Sequence, residues 1–268
     1  MPLSVSELFG FYARRAALVL RRPQLRRDTA AVVDEYGSGW DAYRGHLASA
    51  QTLADWLRIP GLEDLPDYYY VDGRISYEAF DSGAFYRQCL LDAITRHFPQ
   101  ARSVTEFGCG VGRNLLFLRR ETGIDCYGYE LNQSGVDVAR AAAEKFGLKV
   151  EYSQLDYVKD PYKKYFFPST DIAFTMFSLE QLPRSNAQAV RNILEHVRFG
   201  TIHIEPVPEN YPWSLRGLLG RIDHRKVDYL AGFDRTVGGL DVERVDITRL
   251  RSSHNPLMSP SAYILAKK

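Results

Sequence analysis

Short apolar runs alternate with amphipathic segments over the second part of the chain. The runs at 103–107, 125–130, 149–153, 171–176 and 200–205 have the length of buried strands, and 112–121, 134–146 and 186–197 repeat apolar residues at helical spacing. Leu240–Arg251 and Ser261–Lys268 alternate apolar and polar residues, which predicts two antiparallel strands at the sheet edge. We therefore predict a doubly wound α/β fold with a mostly parallel seven-stranded sheet.

The first hundred residues have a different pattern. Apolar residues recur at helical spacing over Val5–Arg21, Trp40–Leu57 and Tyr77–His97, and a loop of turn formers and tyrosines, including Tyr68-Tyr69-Tyr70, separates the last two segments. We predict an all-helical extension or lid over residues 1–100, followed by a catalytic domain over 101–268. The tyrosine loop is expected to cover the substrate crevice. The alternative is that the extension is a dimerisation arm and that the protein forms a homodimer.

Composition narrows the functional class. The chain has 268 residues, a formal net charge of +1 and 45% hydrophobic residues, which is typical of an ordinary globular protein and gives no field that attracts nucleic acid. The longest early apolar run, Ala16–Leu20, is too short for a signal peptide or a membrane span, so we expect a cytoplasmic protein. Three cysteines without a CxxC pair argue against disulfides and a zinc site.

A glycine-rich turn is the strongest chemical signal. Glu106 ends a predicted strand, the glycines at 108, 110 and 112 follow in G-x-G-x-G spacing, and a helix begins there. Glu130 ends the next strand 18 residues after Gly112, where α/β folds use an acid to bind ribose hydroxyls. Dehydrogenases instead space these glycines as G-x-G-x-x-G. Glu106 would repel a diphosphate but can pair with the ammonium of S-adenosylmethionine.

These residues resemble the first two motifs of the class I S-adenosylmethionine-dependent methyltransferases. Leu155-Asp156-Tyr157 resembles the adenine clamp of that family, and Asp171–Leu182 resembles its fourth motif, whose strand end faces the reactive methyl group. The resemblance implies S-adenosylmethionine as cofactor and a binding set of Glu106, Gly108, Cys109, Gly110, Gly112, Asn114, Glu130, Leu131, Asp156, Tyr157 and Phe177. Many relatives have a histidine where this chain has Gln181, so any general base comes from elsewhere.

Candidate catalytic residues follow the later strands. Glu180, His203, Glu205 and His254 fall at the carboxyl edge of the predicted sheet, where ligands bind in such folds. We expect His203 or His254 to remove a proton and Glu180 to contact the acceptor; structural roles for each remain open. The spacing of these residues matches no compact metal-ligand motif, so no metal is predicted.

Two further groups of residues bear on the substrate. Aromatic residues of the extension and of the segment after the fifth strand are candidate pocket walls or docking residues: Trp40, Tyr43, Tyr68, Tyr69, Tyr70, Tyr77, Phe85, Tyr211, Trp213 and Tyr229. Six arginines lie close together near the start: Arg14, Arg15, Arg21, Arg22, Arg26 and Arg27. They are either a solvated helix face or a contact for an acidic carrier or an anionic substrate.

The leading functional hypothesis is methyl transfer to a small molecule by in-line displacement. Oxygen is the favoured acceptor, on a sugar or secondary-metabolite scaffold, and neither nucleic acid nor membrane is an expected partner. A non-catalytic S-adenosylmethionine-binding scaffold and, less favoured, a nicotinamide-dependent oxidoreductase are the alternatives.

Overall fold

The computed structural model describes residues 3–27, 29–58, 66–71, 73–159, 167–252 and 255–268. Its strands are β1 (Asp67–Val71), β2 (Arg74–Glu78), β3 (Ser103–Phe107), β4 (Asp125–Glu130), β5 (Val150–Gln154), β6 (Thr170–Met176), β7 (Val197–Pro206), β8 (Val242–Arg249) and β9 (Pro260–Lys267). Its helices are α1 (Val5–Arg21), α2 (Thr29–Ser49), α3 (Leu53–Leu57), α4 (Ser82–His97), α5 (Arg113–Thr122), α6 (Gln133–Lys145), α7 (Asn186–His196), α8 (Leu215–Lys226) and α9 (Phe233–Gly238).

Seven strands form the central sheet, in the order β5-β4-β3-β6-β7-β9-β8. The five strands from β3 to β7 pair in parallel, and β9 pairs antiparallel with both β7 and β8. The predicted α/β fold is therefore confirmed, and the bounds of the five parallel strands differ from the prediction by at most three residues. These runs were recognisable because strands of a parallel sheet are buried on both faces and read as continuous apolar segments.

Two apolar layers enclose the sheet. On β6, Ile172 and Phe174 face the layer that contains α4, α5 and α6, whereas Ala173 between them faces the layer that contains α7 and α9. Successive side chains of a strand point to opposite faces, so each strand contributes to both layers. The carboxyl ends of the parallel strands are left at one edge, where the loops of the site lie.

The first hundred residues are not all helical, which corrects the predicted extension. Tyr68 and Tyr69 belong to β1, which pairs antiparallel with β2 through the partners Tyr68–Tyr77 and Tyr69–Ser76. Consecutive tyrosines have high strand propensity, and Tyr69 is buried against Phe80. Residues 59–65 of the predicted tyrosine loop lie outside the described part of the chain.

Capping residues explain the other shifted boundaries. The segment predicted as one helix over Trp40–Leu57 contains the end of α2 and all of α3, because Thr52 and Asp55 form a capping box that starts a new helix. Similarly, α4 begins after Asp81, whose carboxylate accepts a hydrogen bond from the Ala84 amide at 2.6 Å. Within the described ranges, no helix combines the length and the apolar character needed to cross a membrane.

Candidate cofactor and acceptor site

A cavity of about 750 Å³ lies at the carboxyl ends of β3, β4, β5 and β6. The loops after these strands form its floor, and residues of α1, α2 and α4 form its other side; we call these three helices the N-terminal cover. Ten of the eleven residues predicted to bind the cofactor line it: Glu106, Gly108, Cys109, Gly110, Asn114, Glu130, Leu131, Asp156, Tyr157 and Phe177.

The glycine loop turns tightly against the end of β4. The amides of Gly108 and Cys109 both donate to the carbonyl of Tyr129, at 2.7 and 2.9 Å. Gly108 has a φ of +77°, and a Cβ there would lie 1.9 Å from the Ser178 hydroxyl oxygen, so only glycine fits. Gly112 does not line the cavity: its carbonyl accepts a hydrogen bond from the Tyr152 hydroxyl at 3.2 Å, behind the loop. It shapes the turn from outside the cavity.

Glu106 carries the least satisfied carboxylate of the site. It is only 1% exposed; Asn114 donates to its Oε1 at 2.7 Å, while its buried Oε2 has no hydrogen-bond partner among the described residues. Burial, and secondarily the nearby charge of Glu130, raises the pKa of Glu106 well above its usual value although the Asn114 contact opposes this. A cationic group in the cavity would supply the missing partner and stabilise the charged form.

Glu130 is held by the backbone on both sides. Its Oε2 accepts from the Gly110 amide at 2.9 Å and its Oε1 from the Asn132 amide at 3.0 Å. Burial nevertheless raises the pKa of this carboxyl. Each carboxylate oxygen can accept more than one hydrogen bond, so Glu130 can fix the glycine loop and still accept from two ligand hydroxyls.

The loop after β5 brings in the next predicted pair. Asp156 Oδ1 accepts from the amides of Val158 and Lys159 at 3.1 and 3.2 Å, which orders the turn. The buried Tyr157 hydroxyl lies 2.8 Å from the Ser178 hydroxyl and so joins this loop to the one after β6. Burial raises the pKa of Tyr157 and keeps its phenol neutral.

The turn after β6 is fixed from below by β7. Glu205, fully buried, accepts from the amides of Ser178, Leu179 and Glu180 at 3.1–3.2 Å. Burial raises the pKa of Glu205 to about 7, against the opposing effect of these hydrogen bonds. Phe177 begins the turn with a φ of +55°, a conformation that is uncommon for an aromatic residue and often found at functional sites.

Glu180 and Gln181 extend from this turn into the cavity. The side-chain amide of Gln181 donates to Glu180 Oε1 at 2.8 Å and to the Tyr36 hydroxyl at 3.2 Å, and its oxygen accepts from Arg27 at 2.7 Å. Gln181 thus connects the catalytic domain to the N-terminal cover. Glu180 lines the cavity, and its predicted contact with the acceptor stays a prediction.

Of the two histidines predicted to remove a proton, His203 belongs to the described residues and His254 does not. His203 is fully buried, lies 2.9 Å from the hydroxyl oxygens of Thr175 and Thr201, and packs against Phe233 in the α9 layer. Burial lowers the pKa of His203 to about 3, and the residue does not line the cavity. Its predicted role as general base is incompatible with this position. His254 lies outside the described residues, among which no three potential ligands come together to hold a metal ion.

Helix α2 places aromatic side chains over the glycine loop. A Cβ on Gly110 would lie 3.0 Å from the Trp40 ring, and Tyr43 and Trp56 flank the guanidinium of Arg113 at 4.6 and 4.7 Å. Of the aromatic candidates, Trp40, Tyr43 and Tyr229 line the cavity, whereas the tyrosines at 68–70 do not. The expected cover is thus made of helices and not of the tyrosine segment.

The sequence analysis did not name Asn132, and it left Trp40, Arg15 and Arg22 with more than one possible role. Asn132 and Trp40 each have a buried nitrogen donor that finds no hydrogen-bond partner in the described part of the chain, and both lie against the cavity. Arg15 and Arg22 from the arginine-rich segment also line it. Helical spacing could have placed these arginines on one side of α1, but no local signal showed that this side faces the site.

Comparison with known proteins identifies the domain. Residues 104–200 match the family model described as a methyltransferase domain. The match covers little more than a third of the chain, so it is this segment that is similar in sequence to a methyltransferase domain. The predicted fold is confirmed and this match agrees with the family predicted from the glycine loop and its distant acid, although no curated protein sequence matches the chain significantly.

Solved structures of the same fold include proteins named for different activities. Magnesium protoporphyrin IX methyltransferase from Synechocystis PCC 6803, solved with bound S-adenosylhomocysteine, is 13% identical with a TM-score of 0.58 over 90% of this chain and all of that one. The [4+2]-cyclase SpnF is 18% identical with a TM-score of 0.58, over 92% and 99% of the two chains. Geranyl diphosphate C-methyltransferase from Streptomyces coelicolor A3(2) is 12% identical with a TM-score of 0.55, over 71% and 78%.

Proposed function

We propose that the chain transfers the methyl group of S-adenosylmethionine to a small molecule. The observation that carries this proposal is the Glu106 carboxylate, buried beside the glycine loop with one oxygen unpartnered. A buried carboxylate needs a cation or a hydrogen-bond donor, and the ammonium group of the cofactor is both. A diphosphate at the same place would be repelled, which argues against the nicotinamide alternative.

The other lining residues fit the rest of the cofactor. Glu130 binds the ribose hydroxyls with its remaining acceptor capacity, and Leu131 and Asp156 contact the adenine. The unpartnered Trp40 and Asn132 nitrogens supply donors for ligand oxygens. When bound, S-adenosylmethionine supplies a methyl group activated by a positively charged sulfur.

The protein's further task is to align an acceptor and exclude water. Trp40, Tyr43 and Tyr86 of the cover wall the cavity. For an oxygen acceptor, our first choice, Glu180 is the lining carboxylate outside the proposed cofactor set that would take the hydroxyl proton. The oxygen–carbon bond would form as the carbon–sulfur bond breaks, with neutral S-adenosylhomocysteine as the leaving group. We propose a sugar or secondary-metabolite scaffold for the acceptor, a cytoplasmic location and a homodimer as one form of the protein. The near-neutral net charge supports the further proposal that nucleic acid is not a partner.

A non-catalytic scaffold that binds S-adenosylmethionine is the second candidate. A cyclase shares this fold, so the fold alone does not decide the reaction. Gln181 also occupies the position where many relatives have a histidine, and its amide is engaged with Glu180, Tyr36 and Arg27. Formation of S-adenosylhomocysteine together with a methylated acceptor separates an enzyme from a scaffold.

Calorimetric titration with S-adenosylhomocysteine tests the cofactor site. Glu130→Gln replaces one carboxylate oxygen with a donor that faces a backbone amide, so affinity should fall about tenfold or more. Glu151→Gln, at an exposed position on β5, is the matched control and should bind like the parent protein. Equal affinity of the two variants would remove the ribose assignment.

A further inference from the structure

We propose that the methyl acceptor carries an anionic group, a carboxylate or a phosphate, which Arg15 and Arg22 bind at the α1 end of the cavity. This inference rests on the proposed function and specifies its substrate class. Both arginines line the cavity that contains the glycine loop, and they reach it from α1 and not from the cofactor-binding loops.

Helical phase separates these two arginines from their neighbours. Arg15 belongs to α1 and Arg22 is the residue that caps its C-terminal end; the two are seven residues apart, about two turns, and so lie on the same side of the helix. Phe11 and Val19, which are buried, share that side. Arg14, one position earlier, is exposed and does not line the cavity. Arg15 is half-buried and the Arg22 side chain is 42% exposed, so both guanidinium groups border the cavity and can still take a charged partner there.

The protein provides only part of that partner. Within the described residues, no carboxylate lies within 4.0 Å of Arg15, whose guanidinium lies 5.6 Å from the Phe11 ring. Arg22 Nη1 pairs with Asp223 Oδ1 at 3.3 Å, and Asn255 donates to the other oxygen of Asp223 at 3.0 Å. This single contact leaves further N–H groups of Arg22 for an anion, for which guanidinium geometry is well suited.

This end of the cavity is distinct from the cofactor end. A smaller adjoining pocket of about 300 Å³ shares Arg15, Arg22 and Asn255 with the main cavity and contains no glycine-loop residue. Arg87 and Arg113 also line the main cavity, but they belong to α4 and to the start of α5 directly after the glycine loop. Arg15 and Arg22 would therefore contact a different part of a bound ligand from Arg87 and Arg113.

Apolar residues line the same part of the cavity. They are Val32 of α2, Val227 and Tyr229 after α8, and Met258 before β9. A ligand that satisfies both kinds of surface has an apolar body and an anionic end. Binding at the anionic end would fix the position of the reacting atom along the cavity.

Helix α1 is held firmly enough to form a preformed subsite. The Lys226 ammonium donates to the carbonyls of Leu20 and Arg22 at 2.7 and 2.9 Å, which caps the end of the helix. The Leu25 amide donates to the Lys226 carbonyl at 2.8 Å, and Val19 packs against Leu219 of α8. The two guanidinium groups thus extend from an anchored element.

Calorimetric titrations with octanoate, octyl phosphate and octanol test this subsite, on protein saturated with S-adenosylhomocysteine and on protein without it. We expect both anions to bind at least about tenfold more tightly than octanol, and the tighter of the two to identify the anion. Arg15→Gln and Arg22→Gln should each weaken anion binding about tenfold and leave octanol binding unchanged. Arg14→Gln is the matched control and should behave as the parent protein.

Two outcomes overturn the subsite: anions that bind no better than octanol, or an Arg14→Gln variant that weakens them as much as Arg15→Gln does. The second outcome would show a general effect of surface charge. Binding of S-adenosylhomocysteine to the same variants should not change. If the parent protein does not bind S-adenosylhomocysteine, this result counts against the proposed function. The titrations on protein without cofactor would still decide whether the anion subsite exists.

Discussion

Glu106 and Glu130 lie beside the same glycine loop, but the protein satisfies them differently. Glu130 receives a backbone amide on each oxygen, whereas Glu106 receives only Asn114 on one oxygen. Burial raises the pKa of both carboxyls, and the charge of Glu130 adds to the effect on Glu106. Glu130 is therefore suited to accept hydrogen bonds from neutral hydroxyl groups, and Glu106 is suited to bind a positively charged group.

This difference predicts a pH-dependent affinity for S-adenosylhomocysteine. A proton on Glu106 competes with the ligand ammonium, and the pKa of this carboxyl is raised in the free protein. Affinity should therefore rise as the pH rises through that pKa, and binding should release a proton. Glu106→Gln should bind about tenfold more weakly at pH 8 and lose this part of the pH dependence.

Calorimetric titration across pH with two ligands provides the check. Adenosine lacks the ammonium group, so its affinity should show no dependence on the protonation of Glu106. If Glu106→Gln and the parent protein show the same pH profile for S-adenosylhomocysteine, the ammonium is not bound by Glu106.

Residue types and spacing predicted the part of the cavity at the glycine loop but not the part that the N-terminal cover lines. The glycines and Glu130 follow buried strands directly, so local sequence fixes their place at the sheet edge. His203 satisfied the same rule and is nevertheless a core residue, since strand alternation tells which residues share a face and not which layer covers that face. Arg15, Trp40 and Asn132 reach the cavity through tertiary packing, which spacing does not reveal.

The turn after β6 depends on one buried carboxyl of β7. Glu205 accepts three consecutive backbone amides, from Ser178 to Glu180, and so positions the segment that carries Phe177 and Glu180 into the cavity. The carboxyl replaces the acceptors that the free amides at the start of this short helical turn lack. Two elements far apart in sequence are joined by a residue that does not itself line the cavity.

Glu205→Gln should change how stability depends on pH. The pKa of Glu205 is about 7 in the folded protein against an ordinary value of 4.5, so the folded state binds this proton more tightly. The resulting stabilisation is present below about pH 4.5 and is lost as pH rises through about 7. The parent protein should therefore lose more unfolding free energy between pH 5 and pH 8 than Glu205→Gln does. Urea unfolding at several pH values measures this, and parallel profiles would contradict it.

The prediction from sequence was correct for strands that are buried along their whole length and wrong for the hairpin, whose two strands pair with each other. The parallel strands were predicted within three residues because both faces are covered. The β1–β2 hairpin was assigned to a loop and, from Tyr77, to the start of a helix, since Asp72 and Gly73 indicate a turn and the run of tyrosines shows no alternation. The boundary between α2 and α3 depends on the Thr52 capping box, a signal present in the sequence.

The whole molecule encloses its cavity between the catalytic domain and the N-terminal cover. Helix α2 packs against α6, and Lys145 of α6 donates to the Leu47 carbonyl at 2.6 Å near the end of α2. Towards the middle of α2, Trp40 lies over the glycine loop and Tyr36 contacts Gln181. A ligand at the glycine loop therefore touches α2 directly, so ligand binding and the order of this helix should be coupled.

Hydrogen exchange with and without S-adenosylhomocysteine should show this coupling. We expect slower exchange of the α2 amides when ligand is bound, and unchanged exchange in the β1–β2 hairpin, none of whose described residues lines the cavity. Trp40→Ala should reduce the ligand-dependent protection of α2, because it removes the ring over Gly110.

A series of protein concentrations distinguishes a cover from a dimerisation arm. Exposed apolar side chains on α1, such as Val5 and Phe9, give the arm hypothesis a physical basis, because association would bury them. Protection of α2 that depends on ligand at every protein concentration supports the cover, since the ligand and α2 share one cavity. Protection that follows concentration alone, with or without ligand, would refute the cover and favour association through this part of the chain.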